Sequence, residues 1–486
     1  MPNYRAYAAA RFAIRPTVIA KLLSQLFGVL SVVMVAPTLV SAVGAPLLTT
    51  TTYLGIIALL LTAYLLGRIL PNSDNVQTNE AMVTVALLFV LTSLLLSLPI
   101  MTLGIAFEDA WFEAVSGITT TGLSVINLED KPWAFLFNRG WMQWVGGVGV
   151  VVLALGISIF PSSVGSRLGF SEQEMGDAVG GTRAHAKRVL IVYCALTAVG
   201  IVLLSLDGSP LLDAVVHSMA AVSTGGFANH ADSLSSASSY HIAVVSLLCI
   251  AGAVSFHIYY LATFLPEREK WLDNQFFSLL LTIGLISLLA VAISWYQQSD
   301  LSWWQVVTLV VSAQTTAGFS TAGDVPLPNW LLLMLCGSML VGGGLGSTSG
   351  GIKLGRALFV FQQARMHLIQ SSASDRLYMS WRANASEAFL RDAMAVIGWF
   401  VAVLFASWLI FVMHGYPPLQ SLYEVTSALS TAGLSAGLSH ADLPTLLKFV
   451  LCVDMLLGRV EIVAFLILFM PYTWKGHRRR IKTRTS

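Results

Sequence analysis

The chain has 486 residues, 56 % of them hydrophobic and only 11 % charged, with a mean hydropathy of +0.75. A water-soluble domain carries about 25 % charged residues, so this composition excludes one and requires a surface that largely faces lipid. The net charge of +2 points to no nucleic-acid partner, and Cys194, Cys249, Cys336 and Cys452 each sit alone in an apolar run with no zinc or disulfide spacing.

In chain order, a polar stretch from Met1 to Arg15 precedes an apolar run, Thr17 to Pro46. That run is too long for a signal-peptide core and reads as a retained spanning helix. At about 20 apolar residues per crossing, two helices come first, near 17–45 and 52–70. A unit of helix, short re-entrant segment and helix then occurs four times, at intervals of roughly 90 to 115 residues. The helices before the re-entrant segments run near 81–101, 186–206, 276–296 and 388–413, and those after them near 135–160, 240–264, 329–361 and 444–470. The re-entrant segments cover 107–124, 211–228, 302–320 and 418–435. This gives ten spanning helices and a division into an N-terminal pair (1–75) and repeats over 76–165, 166–270, 271–365 and 366–486.

Each re-entrant segment ends in a related decapeptide: Glu113-AVSGITTT-Gly122, His217-SMAAVSTG-Gly226, Leu309-VVSAQTTA-Gly318 and Glu424-VTSALSTA-Gly433. Threonine always stands two residues before the last glycine, at Thr120, Thr224, Thr316 and Thr431. Ser or Thr stands three before it (Thr119, Ser223, Thr315, Ser430), and Leu or Phe follows it. The residues between, Thr121, Gly225, Ala317 and Ala432, are small or hydroxylated. A single T-x-G carries no information; four copies in register between apolar helices predict a ring of backbone carbonyls around a desolvated cation. Glycine supplies the φ angles that turn successive carbonyls to one side, and the dipole of each preceding short helix places partial negative charge near the ion.

Lys and Arg concentrate in the segments that alternate with these loops: Arg5, Arg11, Arg15 and Lys21; 161–188; 266–273; 353–391; and the tail from Lys475 to Arg484. Positive residues mark the cytoplasmic side, which puts both termini inside and all four loops outside. The outer segments carry Glu108, Asp109, Glu113, Asp213, Asp232, Asp300, Asp324, Glu424 and Asp442, expected to form an acidic vestibule that concentrates cations or to be ordinary solvated carboxylates. Glu113 and Glu424 share one decapeptide position, held by His217 and Leu309 elsewhere; that asymmetry favours orientation of the pore helices over a direct ion site. His217 and His257 read as hydrogen-bonded structural histidines, and Gln143-Trp144 before Gly146-Gly147 as a mark of close helix packing. Trp474 and the basic cluster after it read as an interface anchor with anionic-lipid contact.

The run Val341-GGGLGSTSGG-Ile352 interrupts the helix after the third loop. It is no phosphate loop, because Lys353 is followed by Leu354 and the Walker register is absent. Inside a membrane such backbone is tolerated only where it is buried or lines a cavity; close helix packing through small residues is the competing reading. Arg459 lies near the middle of the last apolar run, where a lone charge needs a cavity or a partner. It reads either as a positive barrier below the carbonyl ring or as half of a structural ion pair with Glu461 or Asp454.

The chain resembles the Trk/Ktr/HKT superfamily of cation transporters, above all its TrkH-type bacterial potassium-uptake subunits, over essentially its full length. The resemblance rests on the four decapeptides, on Gln143–Gly156 (QWVGGVGVVVLALG), on Gly342–Lys353 (GGGLGSTSGGIK) and on Asp454–Ile462 (DMLLGRVEI). It implies an all-α polytopic membrane fold whose four repeats form a pseudo-tetramer around one pore, plus the N-terminal helical pair. It implies a potassium-selective filter at Thr120-Thr121-Gly122, Thr224-Gly225-Gly226, Thr316-Ala317-Gly318 and Thr431-Ala432-Gly433. Serine at the first glycine position goes with sodium selectivity in the family; this chain has Gly122. Gly342, Gly343, Gly344, Gly346, Ser347, Thr348, Gly350, Gly351 and Lys353 would form a gating loop, with Arg459 as the gating arginine. Potassium is then the substrate ion, with no cofactor in the chain. The implied setting is a bacterial cytoplasmic membrane, with a homodimer and a TrkA-type ring of nucleotide-binding regulatory subunits at the inner linkers 161–188 and 362–387. Symport and passive permeation both remain open. The competing class is an alternating-access secondary transporter, which would have two related halves and a midplane site. An enzyme is not expected, since no catalytic motif is present.

Overall fold

The computed structural model describes residues 14–71, 76–156, 181–256, 258–259, 274–323, 325–370, 387–460 and 462–474. All regular structure among the described residues is helical. The basic residues Arg5 and Arg11, most of the linkers 161–188, 266–273 and 362–387, the tail after Trp474, and His257, Asp324 and Glu461 lie outside the described residues.

The N-terminal pair comprises Pro16–Val33 continued by Val35–Gly44 after a break at Met34, and Leu47–Gly67. The outer helices of the four repeats are Thr78–Met101, Gly181–Leu206, Asn274–Tyr296 and Glu387–Met413. They are followed by pore helices Phe107–Ile118, Leu211–Val222, Trp303–Thr315 and Pro418–Leu429, within a few residues of the expected segments. The pore helices begin where the chain supplies start signals: Pro210 and Pro417 precede two of them, and Ser302 forms a capping box with Gln305 in the third.

The outer helices are apolar around most of their circumference and leave Leu281, Leu285 and Leu288, or Val401 and Phe405, exposed. Such faces are stable only against lipid. The pore helices are the opposite, and Phe112 to Thr121 are all buried. Neighbouring repeats share their cores. Phe112 and Val115 of the first pore helix pack with Val425, Leu429 and Leu451 of the fourth repeat and with Tyr53 and Leu60 of the N-terminal pair. Leu309 and Leu335 of the third repeat pack with Tyr423 of the fourth. Three of the four cysteines are buried, as expected of small hydrophobes, while Cys194 is exposed on the second outer helix.

The inner helices depart from expectation. The first is Trp133–Gly156 and the fourth Thr445–Val460, continued by Ile462–Phe469 and a last turn at Pro471–Trp474. The second, expected near 240–264, is Ser239–Ala253 and ends with Val254 extended at φ −77°, ψ 143°. The third, expected over 329–361 with an interruption at Val341–Ile352, is Asn329–Val341, then irregular chain, then Leu354–Gln370. Six helices of the described residues are each long and apolar enough to span a bilayer.

The second inner helix stops because the third repeat takes its terminal carbonyls. Thr348 donates to Gly252 O from both N (3.2 Å) and Oγ1 (2.9 Å), and Gly344 N donates to Ala253 O at 2.9 Å. Tyr259 Oη donates to Ala251 O at 2.8 Å. The last carbonyls of a helix must find donors, and here Gly252 O and Ala253 O find them in a segment about ninety residues later in the chain.

Candidate functional site

Each pore helix ends in the same hydrogen-bond pattern. Thr120, Thr224, Thr316 and Thr431 donate from N to the carbonyls of Gly117, Ala221, Ala313 and Ala428. The next residues, Thr121, Gly225, Ala317 and Ala432, donate to Ser116, Ala220, Ser312 and Ser427 at 2.7–2.9 Å. This is a Schellman cap, whose left-handed position glycine usually fills. Here threonine fills it four times, with φ of 54°, 51°, 53° and 49°. A β-branched residue in that region is an outlier that the surrounding structure must hold. Gly122, Gly226, Gly318 and Gly433 then return to positive φ, at 99°, 77°, 81° and 82°. Alternation of the sign of φ along T-x-G turns successive peptide planes the same way, which is how a short segment presents carbonyls to one side. The sequence pointed to the glycines alone as the special backbone positions. The fourfold threonine was the signal for the second one.

The four segments close into a ring. A Cβ built on Gly226 would lie 2.8 Å from the Cα of Gly318; on Gly318, 3.2 Å from the Cα of Gly433; on Gly433, 3.1 Å from the Cα of Gly122; and on Gly122, 3.4 Å from the carbonyl carbon of Gly226. Each would also collide with the carbonyl oxygen of the residue before the next glycine: Ala317, Ala432, Thr121 and Gly225 in turn. Glycine is therefore required twice over, by φ and by a neighbouring backbone with no room for a side chain. The ring lies well inside the protein, and the four threonines are at most 1 % exposed.

Below the ring sits the glycine-rich segment. Gly350 N donates to Thr316 Oγ1 at 2.6 Å and Gly351 N to Ser430 O at 3.1 Å. Thr348 Oγ1 also lies 3.0 Å from Val222 O and accepts from Thr224 Oγ1 at 3.3 Å. A side chain on Gly350 would collide with Ser430 O and Thr431 Oγ1. Gly342, at φ 67°, begins the break, and its carbonyl accepts from Gln314 Nε2 at 2.7 Å. Gly343 and Gly344 run against Ala253, Gly346 accepts from Phe256 N at 3.3 Å, and Ser347 bonds Ser349 at 2.8 Å. Lys353, at φ 76°, donates from Nζ to the carbonyl of Ser349. The segment thus touches the ends of the second, third and fourth pore helices.

Arg459 is buried, and its partners among the described residues are not carboxylates. Nη1 donates to Thr348 O at 2.7 Å and Nη2 to Gly146 O at 2.8 Å. Asp454, one of the two acidic partners considered from sequence, faces away and accepts from Ser407 Oγ at 2.8 Å. The reason is register, since five residues do not share a helix face. The arginine joins the fourth inner helix, the glycine-rich segment and the first inner helix.

Four of the outer carboxylates, Glu113, Glu424, Asp109 and Asp213, are engaged in bonds within the protein. Glu113 and Glu424 are fully buried. Glu113 accepts from Arg139 Nε at 2.6 Å and from Ser124 Oγ at 2.8 Å. Glu424 accepts from Ser435 Oγ, Ala436 N and Ser439 N at 2.8, 2.9 and 3.2 Å. Both tie a pore helix to the chain that follows its glycine, in keeping with the orienting role expected of them. Asp109 pairs with Lys448 at 2.5 Å, and Asp213 accepts from Asn229 Nδ2 at 2.7 Å. His217 bonds His241 at 2.8 Å, the structural histidine expected. Gln143 does more than mark close packing: it contacts the second T-x-G directly, donating from Nε2 to Gly225 O at 2.5 Å and accepting at Oε1 from Phe227 N at 3.0 Å.

Comparison with known proteins gives the family and the fold. Residues 50–475 match the TrkH family profile, described as a cation transport protein. The Trk system potassium uptake protein TrkH of Halomonas elongata is 32 % identical over 442 residues, covering 84 % of this chain and 89 % of the relative. The Trk system potassium uptake protein TrkG of Escherichia coli is 30 % identical over 423 residues, covering 82 % and 86 %. The crystal structure of the potassium transporter TrkH from Vibrio parahaemolyticus superposes with a TM-score of 0.81 at 25 % identity, over 95 % of this chain and 100 % of that one.

Proposed function

This chain belongs to the TrkH family of cation transport proteins, and we propose that it carries potassium ions inward across a bacterial cytoplasmic membrane through the ring of four T-x-G segments. The observation that carries this reading is the closure of the ring: each glycine backs onto the carbonyl of the next segment, in the order one, two, three, four, one. Carbonyl oxygens held at that spacing replace the hydration shell of a desolvated cation. Four pore helices end on the ring, and their C-terminal dipoles add partial negative charge there. An alternating-access carrier would divide into two halves around a midplane site; four equivalent segments meeting in one ring favour a single pore.

The glycine-rich segment is the gate in this reading, held closed beneath the ring by Arg459. The positive charge of Arg459 adds an electrostatic barrier to a cation leaving the ring. Opening requires the bonds from Arg459 to Thr348 and from Gly350 to Thr316 to break, and Gly342 and Gly351, both at positive φ, to act as hinges. We also assign both termini to the cytoplasmic side, from the placement of Lys and Arg, and extend to this chain a homodimer and a TrkA-type nucleotide-binding regulatory subunit, on the resemblance alone. The test is growth of a bacterium lacking its own potassium-uptake systems at low external potassium. Expression of this chain restores growth; no rescue, together with no cation flux in liposomes, overturns the reading.

A further inference from the structure

The four segments are not held in place alike. The first, third and fourth are tied to their own pore helices: Glu113 takes Ser124, Gln305 Nε2 donates to Thr321 O at 2.9 Å, and Glu424 takes Ser435, Ala436 and Ser439. The second is tied through Asp213, which accepts from Asn229 Nδ2 at 2.7 Å, and by a long bond from Asn229 N to His217 Nε2 at 3.4 Å. It is also held from the neighbouring repeat. Arg139 and Gln143, four residues apart on one face of the first inner helix, make three bonds to it. Arg139 Nη1 donates to Ala228 O at 2.9 Å, and the guanidinium lies 4.0 Å over the Phe227 ring. The Gln143 amide straddles Gly226, bonded to Gly225 O on one side and Phe227 N on the other. Gly140 and Gly147 lie nearby on the same helix. A Cβ on Gly140 would be 3.0 Å from Val216 Cγ1, and one on Gly147 2.8 Å from Ser223 Cβ, so the helix is seated directly on the second pore helix. At its other end Arg139 is paired with Glu113, which also holds Ser124 of the first segment.

We propose that Gln143 and Arg139 are positioning residues of the ring: they set where the second segment stands relative to the first, and so how sharply potassium is distinguished from sodium. This rests on the reading of the ring as the ion path. Discrimination depends on the number and placement of carbonyls around the ion, and Gly225 O, which Gln143 holds, is the carbonyl against which Gly122 packs. Without the amide, a buried carbonyl and a buried N–H flanking Gly226 lose their partners, and an unsatisfied buried group drives local rearrangement.

The test compares initial uptake rates of potassium and sodium into liposomes containing purified wild type, Gln143→Leu, Gln143→Asn and Arg139→Gln. The inference predicts that Gln143→Leu lowers the potassium-to-sodium ratio about tenfold, the effect of roughly 1.4 kcal/mol between the two ions. Gln143→Asn, one methylene shorter, and Arg139→Gln each lower it about threefold. A merely structural role would reduce both rates together and leave the ratio unchanged. A wild type that carries no potassium defeats the reading of the ring as the ion path. A wild type that discriminates, with Gln143→Leu within about twofold of it, defeats this inference and leaves that reading standing. If Gln143→Leu does not assemble, the ratio for Gln143→Asn decides in the same way.

Discussion

The guanidinium of Arg459 donates to the carbonyl oxygen of Thr348 at 2.7 Å, tying the last inner helix to the glycine-rich segment of the preceding repeat. Its second bond, 2.8 Å to Gly146 O, reaches the first inner helix. One side chain therefore joins three of the four repeats directly beneath the ring, and its Nε has no partner among the described residues.

Replacing Arg459 by alanine removes both bonds and the positive charge. A hydrogen bond from a charged group contributes about 1.5–3 kcal/mol, so the closed segment loses enough to raise potassium flux about tenfold or more. Stopped-flow or tracer flux in liposomes measures this. Flux equal to or below that of wild type would return Arg459 to a purely structural part.

Asp109 of the first pore helix and Lys448 of the fourth inner helix form the ion pair that joins repeats one and four, where the ring closes. Lys448 is 5 % exposed and also donates to Ala441 O at 2.6 Å. Removing one partner of this partly buried pair leaves the Lys448 charge less well compensated, at about 1–3 kcal/mol. Asp109→Asn alone should therefore destabilise the detergent-solubilised protein more than the double variant Asp109→Asn/Lys448→Met, read as the midpoint of thermal aggregation. Additive losses in the double variant would show that the two side chains are independent.

The pore helices were legible in the sequence because their signals are local: a proline or serine start, a twelve- or thirteen-residue helix, and a threonine and glycine at the exit. The break at Gly342 was legible for the same reason, since no helix tolerates such a run of glycines. What escaped lies in contacts between distant parts of the chain. The second inner helix reads as apolar well past Ala253, yet it ends there because Gly344 and Thr348 satisfy its carbonyls. Arg459 invited a search for a carboxylate, and its partners are two backbone oxygens, 111 and 313 residues away, that no residue type announces. Gln143 lies in an apolar helix as one polar residue among small ones, and only the closure of repeat one on repeat two shows which atoms it holds. The glycine ring itself could be inferred as four equivalents, but not the unequal clamps behind it.

The most direct test of the central claim is the potassium-to-sodium uptake ratio of wild type and Gly226→Ser in liposomes. A Cβ at Gly226 meets Ala317 O and lies 2.8 Å from the Cα of Gly318, on a backbone with φ 77°. The third segment must move, and the ring loses its equal spacing. Wild type is expected to prefer potassium and Gly226→Ser to lower the ratio by about tenfold, while the protein still assembles and still carries cations. A ratio unchanged by this substitution would place the ion path away from the ring and contradict the account.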